Sequence, residues 1–171
     1  MIGLNFLPSP INGWYCPDDP GEPGTEQKRL SINDIEGRLL SALVRGLDVL
    51  EIGTGLGVSA EWMARTAHSV VTVDVDPWVW EHVFPCLTSK IIAFRDTINL
   101  THDYDACFID GLHTFEQCGA DIITARKHVK RGGLIILHDL YIEPVRMALL
   151  DSGLRYVHIQ TKAGMAVAWN E

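Results

Sequence analysis

Glu51-Ile52-Gly53-Thr54-Gly55-Leu56-Gly57 places glycines at alternating positions, so the backbone there can turn tightly and approach a ligand closely. The spacing is G-x-G-x-G. A dinucleotide fingerprint would carry its last glycine where this chain has Val58. A pyrophosphate needs a broad cradle of N–H donors at a helix end, whereas this tighter loop suits a smaller group such as an amino-acid moiety. Taken alone, it is equally a tight turn between a strand and a helix. Asp74 follows twenty-one positions after Gly53, and a carboxylate at that place can accept hydrogen bonds from both hydroxyls of a ribose. Its bland alternative is a helix cap, for which Asp76, directly before Pro77, is better placed. Further on, Asp110 stands three residues before His113, and His138-Asp139 closes another apolar run. Carboxylates and imidazoles in that pattern suit a divalent cation or a proton acceptor.

Each of these groups follows an apolar run that must position it. Leu47–Ile52, Ser69–Val73, Lys90–Phe94, Tyr104–Ile109 and Leu134–Leu137 read as strands. Their continuous apolar character marks a parallel sheet covered on both faces. Helices alternate with them. In the first, Ile32, Ile35, Leu39, Leu43 and Val44 share a face, Ser31 with Asp34 resembles a capping box, and Gly46 ends it. Others run through Trp62-Met63-Ala64, from Pro77, from a Thr114–Gln117 capping box to Gly132-Gly133, and from Pro144. Arg155–Gln160 and Met165–Trp169 are separated by Thr161-Lys162-Ala163-Gly164, too short a link for a parallel crossover. They therefore form an antiparallel hairpin. The fold class is α/β: a Rossmann-like seven-stranded sheet, mostly parallel, with a C-terminal antiparallel hairpin and helices on both faces. Ligands of such sheets bind at the carboxyl ends of the strands, where the chemistry-bearing residues fall.

Composition narrows the function classes. The 171 residues suit one domain, divided into a Pro/Gly-rich arm over 1–30 that could cover a substrate and a ligand-binding domain over 31–171. A net charge of −8 disfavours nucleic acid, whose phosphates need a basic footprint. No apolar run approaches the roughly 20 residues of a membrane span, and no secretory pattern opens the chain. Cys16, Cys86, Cys107 and Cys118 include no C-x-x-C pair and read as reduced thiols, which points to the cytoplasm. His68, His82, His102, His128 and His158 lack ligand spacing. Trp78 and Trp80, two apart on a helix, face different directions, so one belongs to the core.

The glycine loop with Glu51, Asp74 and the terminal hairpin resembles the class I S-adenosylmethionine-dependent methyltransferases over about residues 30–171. The resemblance implies that Gly53, Thr54, Gly55 and Gly57 hold the methionine part of the cofactor and that Asp74 holds its ribose. By the same likeness Val75 packs on adenine, Asp96 or Thr97 flanks the adenine edge, and Glu51 steadies the loop or the cofactor's amino group. Ile109-Asp110-Gly111-Leu112-His113-Thr114-Phe115-Glu116 and Gly132-Gly133-Leu134-Ile135-Ile136-Leu137-His138-Asp139 are similar to the metal-dependent O-methyltransferase branch, catechol-type and macrolide-sugar or cephalosporin-biosynthesis relatives included. That likeness implies a divalent metal, magnesium, manganese or similar, on Asp110, His138 and Asp139. It also implies a small hydroxylated acceptor and puts Asp110 beside both cofactor and reaction centre. Relatives often have an acid or amide at the position of His138, and imidazole favours manganese, iron or zinc over magnesium. Without a metal, Asp139 would cap a helix and His138 would bond backbone.

His113 is the expected general base. A helix starting at Thr114 would depress its pKa and keep the imidazole neutral near pH 7. A second role as metal ligand or loop hydrogen bonder is open. Two other functions compete with small-molecule O-methylation. A nucleic-acid or protein methyltransferase is one, although Asp110-Gly111-Leu112-His113 is not the D/N-P-P-Y turn of base-amino methylation. A non-catalytic cofactor-binding subunit is the other, since little chain remains to build a substrate lid. In a homo-oligomer, a neighbouring copy could complete the pocket.

Overall fold

The computed structural model describes residues 32–98, 100 and 103–171. The proposed arm over 1–30, Ser31, Cys16 and His102 lie outside those residues. In chain order the elements are α1 (Asp34–Leu43), β1 (Asp48–Ile52), α2 (Val58–Ala64), β2 (Ser69–Val73), α3 (Pro77–His82), a 3-10 turn (Phe84–Cys86), β3 (Ile91–Phe94), β4 (Tyr104–Ile109), α4 (Phe115–His128), β5 (Val129–Leu137), α5 (Glu143–Asp151), β6 (Tyr156–Ile159) and β7 (Met165–Trp169). The strands form one seven-stranded sheet in the order β3-β2-β1-β4-β5-β7-β6. β1 to β5 are parallel, and β7 runs antiparallel between β5 and β6. The Rossmann-like reading with a reversed terminal hairpin is thus the observed architecture.

Alternation along the strands splits the core into two layers. Leu50, Cys107, Ile109, Ile135 and Leu137 pack with Ile122 of α4 and Leu149 of α5. Val49, Ala106, Phe108 and Ile136 pack with Leu40 of α1 and Met63 of α2. Each of these side chains is nearly or wholly inaccessible, and burying a large apolar side chain stabilises the fold by about 1.5–3 kcal/mol.

Register is what aligns the chemistry. Ile52 pairs with both Val73 and Ile109, and Ile109 pairs with Leu137. The ladder continues one residue further: Gly53 N–H donates to Val73 O, Asp110 N–H to Ile52 O, and His138 N–H to Ile109 O. Gly53, Asp74, Asp110 and His138 therefore stand side by side along the carboxyl edge of the sheet.

Several local expectations are revised. Helix α1 starts after Asn33, whose side chain accepts from Ile35 N–H and Glu36 N–H while the Glu36 side chain returns to Asn33 N–H. The capping box is thus Asn33–Glu36. Ile35, expected on the buried face, is 75% exposed; the buried face carries Glu36, Gly37, Leu40 and Ser41. Gly37 lets α1 close on the indole of Trp62, which a Cβ at that position would meet at 2.4 Å. That contact decides the helix's rotation. At Thr114 the hydroxyl accepts from Gln117 N–H, but the Gln117 side chain donates to Asp121 instead of completing a box. Helix α4 ends at His128 rather than at Gly132-Gly133, because Val129 already pairs with Tyr104 and the chain bulges before Leu134 pairs with Ala106. Trp80 is the half-buried indole of its pair and donates Nε1–H to Asp74 O, while Trp78 stacks on His82 at the surface. Cys107 and Cys118 are buried free thiols.

Candidate active site

The glycine loop is bound to β4 and β2 by contacts that the side chains dictate. Gly53 has φ +96°, and a Cβ there would lie 2.3 Å from Asp110 O, so no other residue fits the position without moving the backbone. Asp74 Oδ2 accepts from Thr54 N–H and Gly55 N–H at 2.9 Å each, and its Oδ1 accepts from Asp76 N–H. The observed work of Asp74 is thus to hold the loop's shape. Asp76 caps α3 by accepting from Trp78 N–H.

Glu51 lies beneath the loop with no exposed surface. It accepts from the hydroxyls of Ser59 and Thr72, and Thr72 is hydrogen-bonded in turn to Thr54. Burial pushes its carboxyl up to about 8 despite those hydrogen bonds, with the charges of Asp110 and Asp74 acting in the same direction as burial. Of the two roles expected for Glu51, this geometry serves the steadying of the loop.

Gly53, Gly55, Asp74, Val75, Asp96, Thr97 and Asp110 line a single groove of about 640 Å³. Thr54 and Gly57 are buried beside it with Glu51. Sequence reasoning missed the opposite wall, made by Leu112, Gln117, Asp121 and Thr124. The signal was there: Gln117, Asp121 and Thr124 follow a helical i, i+4, i+7 stripe. Asp121 is buried, accepts from Gln117 Nε2–H at 2.8 Å, and has its carboxyl raised by that burial.

A second cluster adjoins the groove through Asp110. Asp139 takes a left-handed backbone (φ +55°), the sole positive φ outside glycine among the described residues, and the resulting turn brings its carboxylate back to β4. His113 Nε2 lies 2.9 Å from Asp139 Oδ2 and 3.5 Å from Asp110 Oδ1. His138 Nδ1 faces the same two oxygens at 3.3 and 3.4 Å. Despite these short distances, neither nitrogen makes a well-aligned hydrogen bond. Donor atoms of Asp110, His113 and Asp139 all lie within 4.8 Å of one another, a set able to hold a metal ion. His138, expected among the ligands, presents Nδ1 to the same two oxygens, and its ring stands between these carboxylates and Glu36.

The donor set fits a divalent ion. Metal–ligand bonds of about 2.1 Å put neighbouring ligand atoms roughly 3 to 3.4 Å apart, and buried nitrogens at such spacings without aligned hydrogen bonds are what a coordination shell would leave. The glycine cradle opens to the groove at Gly55, beside which nothing lies within 4 Å of where a Cβ would stand. The carboxylates of Asp110 and Asp139 facing His113 Nε2 raise its pKa to about 9, against the lowering expected from the helix that follows. Burial works to lower the pKa of His138, but Asp110 and Asp139 prevail and raise it to about 10. Burial opposes ionisation of Asp139, yet the two imidazoles hold its carboxyl far below the usual range.

Comparison with known proteins agrees with this fold. Residues 50–140, β1 to the turn after β5, match a family described as a methyltransferase domain. No curated protein matches the chain. Among solved structures, cofactor-bound Rv0187 from MTB is similar at 24% identity, with a TM-score of 0.74 over 84% of this chain and 83% of that one. The O-methyltransferase from Bacillus cereus, in complex with SAH, is 17% identical, with a TM-score of 0.72 over 94% of this chain and all of its own. The O-methyltransferase TomG from Streptomyces achromogenes, in complex with SAM, is 19% identical, with a TM-score of 0.69 over 82% and 81% of the two chains. No helix among the described residues is long and apolar enough to cross a membrane. With the glycine cradle, the groove and the family match in agreement, the chain belongs to this methyltransferase family and has the class I S-adenosylmethionine-dependent fold.

Proposed function

We propose that this protein moves the methyl group of S-adenosylmethionine to a hydroxyl oxygen of a small molecule, with a divalent metal ion at the acceptor side. The observation that carries the reading is the junction at Asp110. Its side chain belongs both to the groove bounded by Gly53, Asp74 and Asp96 and to the cluster with His113 and Asp139. Structural relatives described as O-methyltransferases add to it.

In this reading the glycine loop receives the methionine part of the cofactor, and Asp74 offers the ribose its remaining lone pairs while bracing the loop. Val75 lies against adenine, and Asp96 or Thr97 meets the adenine edge. Asp110, His113 and Asp139 would hold the ion, His113 giving up its proton as it binds, and the ion would supply Lewis acidity that lowers a hydroxyl's pKa and orients it. A ligand set with imidazole suits manganese, iron or zinc better than magnesium. In the transfer, the acceptor hydroxyl gives its proton to solvent water and its oxygen forms a bond to the methyl carbon, while the sulfur–carbon bond breaks and its electron pair stays on sulfur. The protein's part is alignment: the rigid β1 and β4 ends set the two reactants in line. The net charge of −8 and the acidic groove favour a neutral or cationic small acceptor over a nucleic acid.

The test is incubation of the purified chain with methyl-labelled cofactor and a panel of phenols, sugars, RNA and protein, across manganese and magnesium concentrations with and without a chelator. Metal-dependent label on a phenol or sugar is expected. Label on RNA or protein would replace the acceptor class, and transfer unaffected by chelation would remove the metal from the reading.

A further inference from the structure

Glu36 is a charged residue in helix α1 with 2% of its surface exposed. Such burial is rare for glutamate unless partners compensate it. Here they are plentiful: Oε2 accepts from Asn33 N–H and Asn33 Nδ2–H, and Oε1 accepts from Ala163 N–H in the β6–β7 turn. The Thr161 side chain is a further donor, and together these contacts hold the carboxyl below its usual range against the effect of burial. A capping box alone needs only the link to Asn33 and sits comfortably at a helix surface. It explains neither the depth of Glu36 nor what it faces.

What it faces is His138. Glu36 Oε2 stands 3.5 Å from Nε2, on the opposite side of the ring from Asp110 and Asp139. The imidazole is 94% buried, and neither ring nitrogen makes an aligned hydrogen bond. An anion fixed by several donors cannot withdraw, so Glu36 stays against Nε2 while Nδ1 faces the carboxylates. A histidine whose outer nitrogen meets a carboxylate is the usual way in which proteins orient ligands around a metal.

We propose that Glu36 is a positioning residue that fixes the ring of His138, and through it the Asp110–Asp139 pair, so that α1 and the β6–β7 turn act as the outer support of the metal cluster. The consequence for metal affinity rests on the reading of Asp110, His113 and Asp139 as ligands. The fixing of the ring does not.

The experiment separates the two. Imidazole ¹⁵N–¹H spectra of the metal-free protein report the ring of His138, and manganese titration followed by electron paramagnetic resonance reports the site. The variants are Glu36→Gln, which removes the charge, and Ile35→Ala, an exposed change in the same turn of α1. Glu36→Gln is expected to shift the His138 Nε2 resonance and weaken manganese binding at least tenfold; Ile35→Ala is expected to leave both unchanged. Should Glu36→Gln fail to fold, Glu36→Asp, which keeps the charge but draws it back from the ring, carries the same expectations. An unmoved His138 resonance in the folded Glu36 variant, or equal effects in Ile35→Ala, overturns the proposal. If wild-type protein binds no manganese while the resonance still shifts, the positioning role stands and the metal reading fails.

Discussion

Replacing Glu51 by glutamine should change how stability depends on pH, in a direction that the burial of its carboxyl dictates. In the native protein this group titrates at about 8, against 4.5 for the ordinary glutamate of an unfolded chain. Between those values the unfolded chain has released its proton and the folded one has not. Linkage then requires stability to fall as pH rises from about 4.5 to about 8 and to level off above. Each unit is worth about 1.4 kcal/mol, so the whole window amounts to about 3 to 5 kcal/mol. Glutamine cannot ionise, and its amide can still meet the Ser59 and Thr72 hydroxyls. The measurement is urea unfolding of both proteins at pH 5, 6, 7, 8 and 9, followed by tryptophan fluorescence and compared as differences. Contributions from His113, His138 and Asp139 then cancel. The variant should gain on wild type steadily between pH 5 and 8. A difference that stays constant across that window would show that Glu51 ionises in the folded protein as it does in water, and the account of a proton retained beneath the glycine loop would fail.

Gly37→Ala, a change that favours an ordinary helix by about 1 kcal/mol, should here cost about 1–3 kcal/mol, because the new methyl meets the Trp62 indole at 2.4 Å. Calorimetry should record a lower Tm, and an unchanged one would mean that α1 does not rest on Trp62. Gly53→Ala forces a Cβ against Asp110 O at an unfavourable φ, so S-adenosylmethionine affinity by isothermal titration should drop at least tenfold with the protein still folded; undiminished affinity places the cofactor elsewhere. Asp110→Asn should leave cofactor affinity within a few-fold and abolish metal-dependent transfer, whereas persisting turnover refutes its place among the ligands.

The apolar runs before Gly53, Asp74, Asp110 and His138 were enough to number the strands and to put the chemistry at their carboxyl ends. A short, mostly apolar run rich in β-branched residues and bounded by turn residues fits a doubly covered strand. The glycine loop was legible because backbone geometry restricts residue type at each step. The rotation of α1 was not. Ile35 and Glu36 are neighbours, and amphipathic spacing favoured the isoleucine. The close approach of Gly37 to Trp62, twenty-five residues away, turned the glutamate inward instead. The end of α4 was misplaced for a related reason: glycines usually terminate helices, but pairing with Tyr104 had already drawn Val129 into the sheet.

The sequence by itself determined the fold class, the reversed last strand, the glycine cradle and the presence of Asp110, His113, His138 and Asp139 near one edge, because each follows from local periodicity and short-range spacing. Only the tertiary structure decided that His113 and His138 both face the Asp110 and Asp139 carboxylates, that those carboxylates raise the pKa of His113, and that Glu36 stands behind His138. Those outcomes depend on the register between β4 and β5, the left-handed turn at Asp139 and the docking of α1 against the β6–β7 turn. They are distances between segments remote in the chain, and no local pattern encodes them.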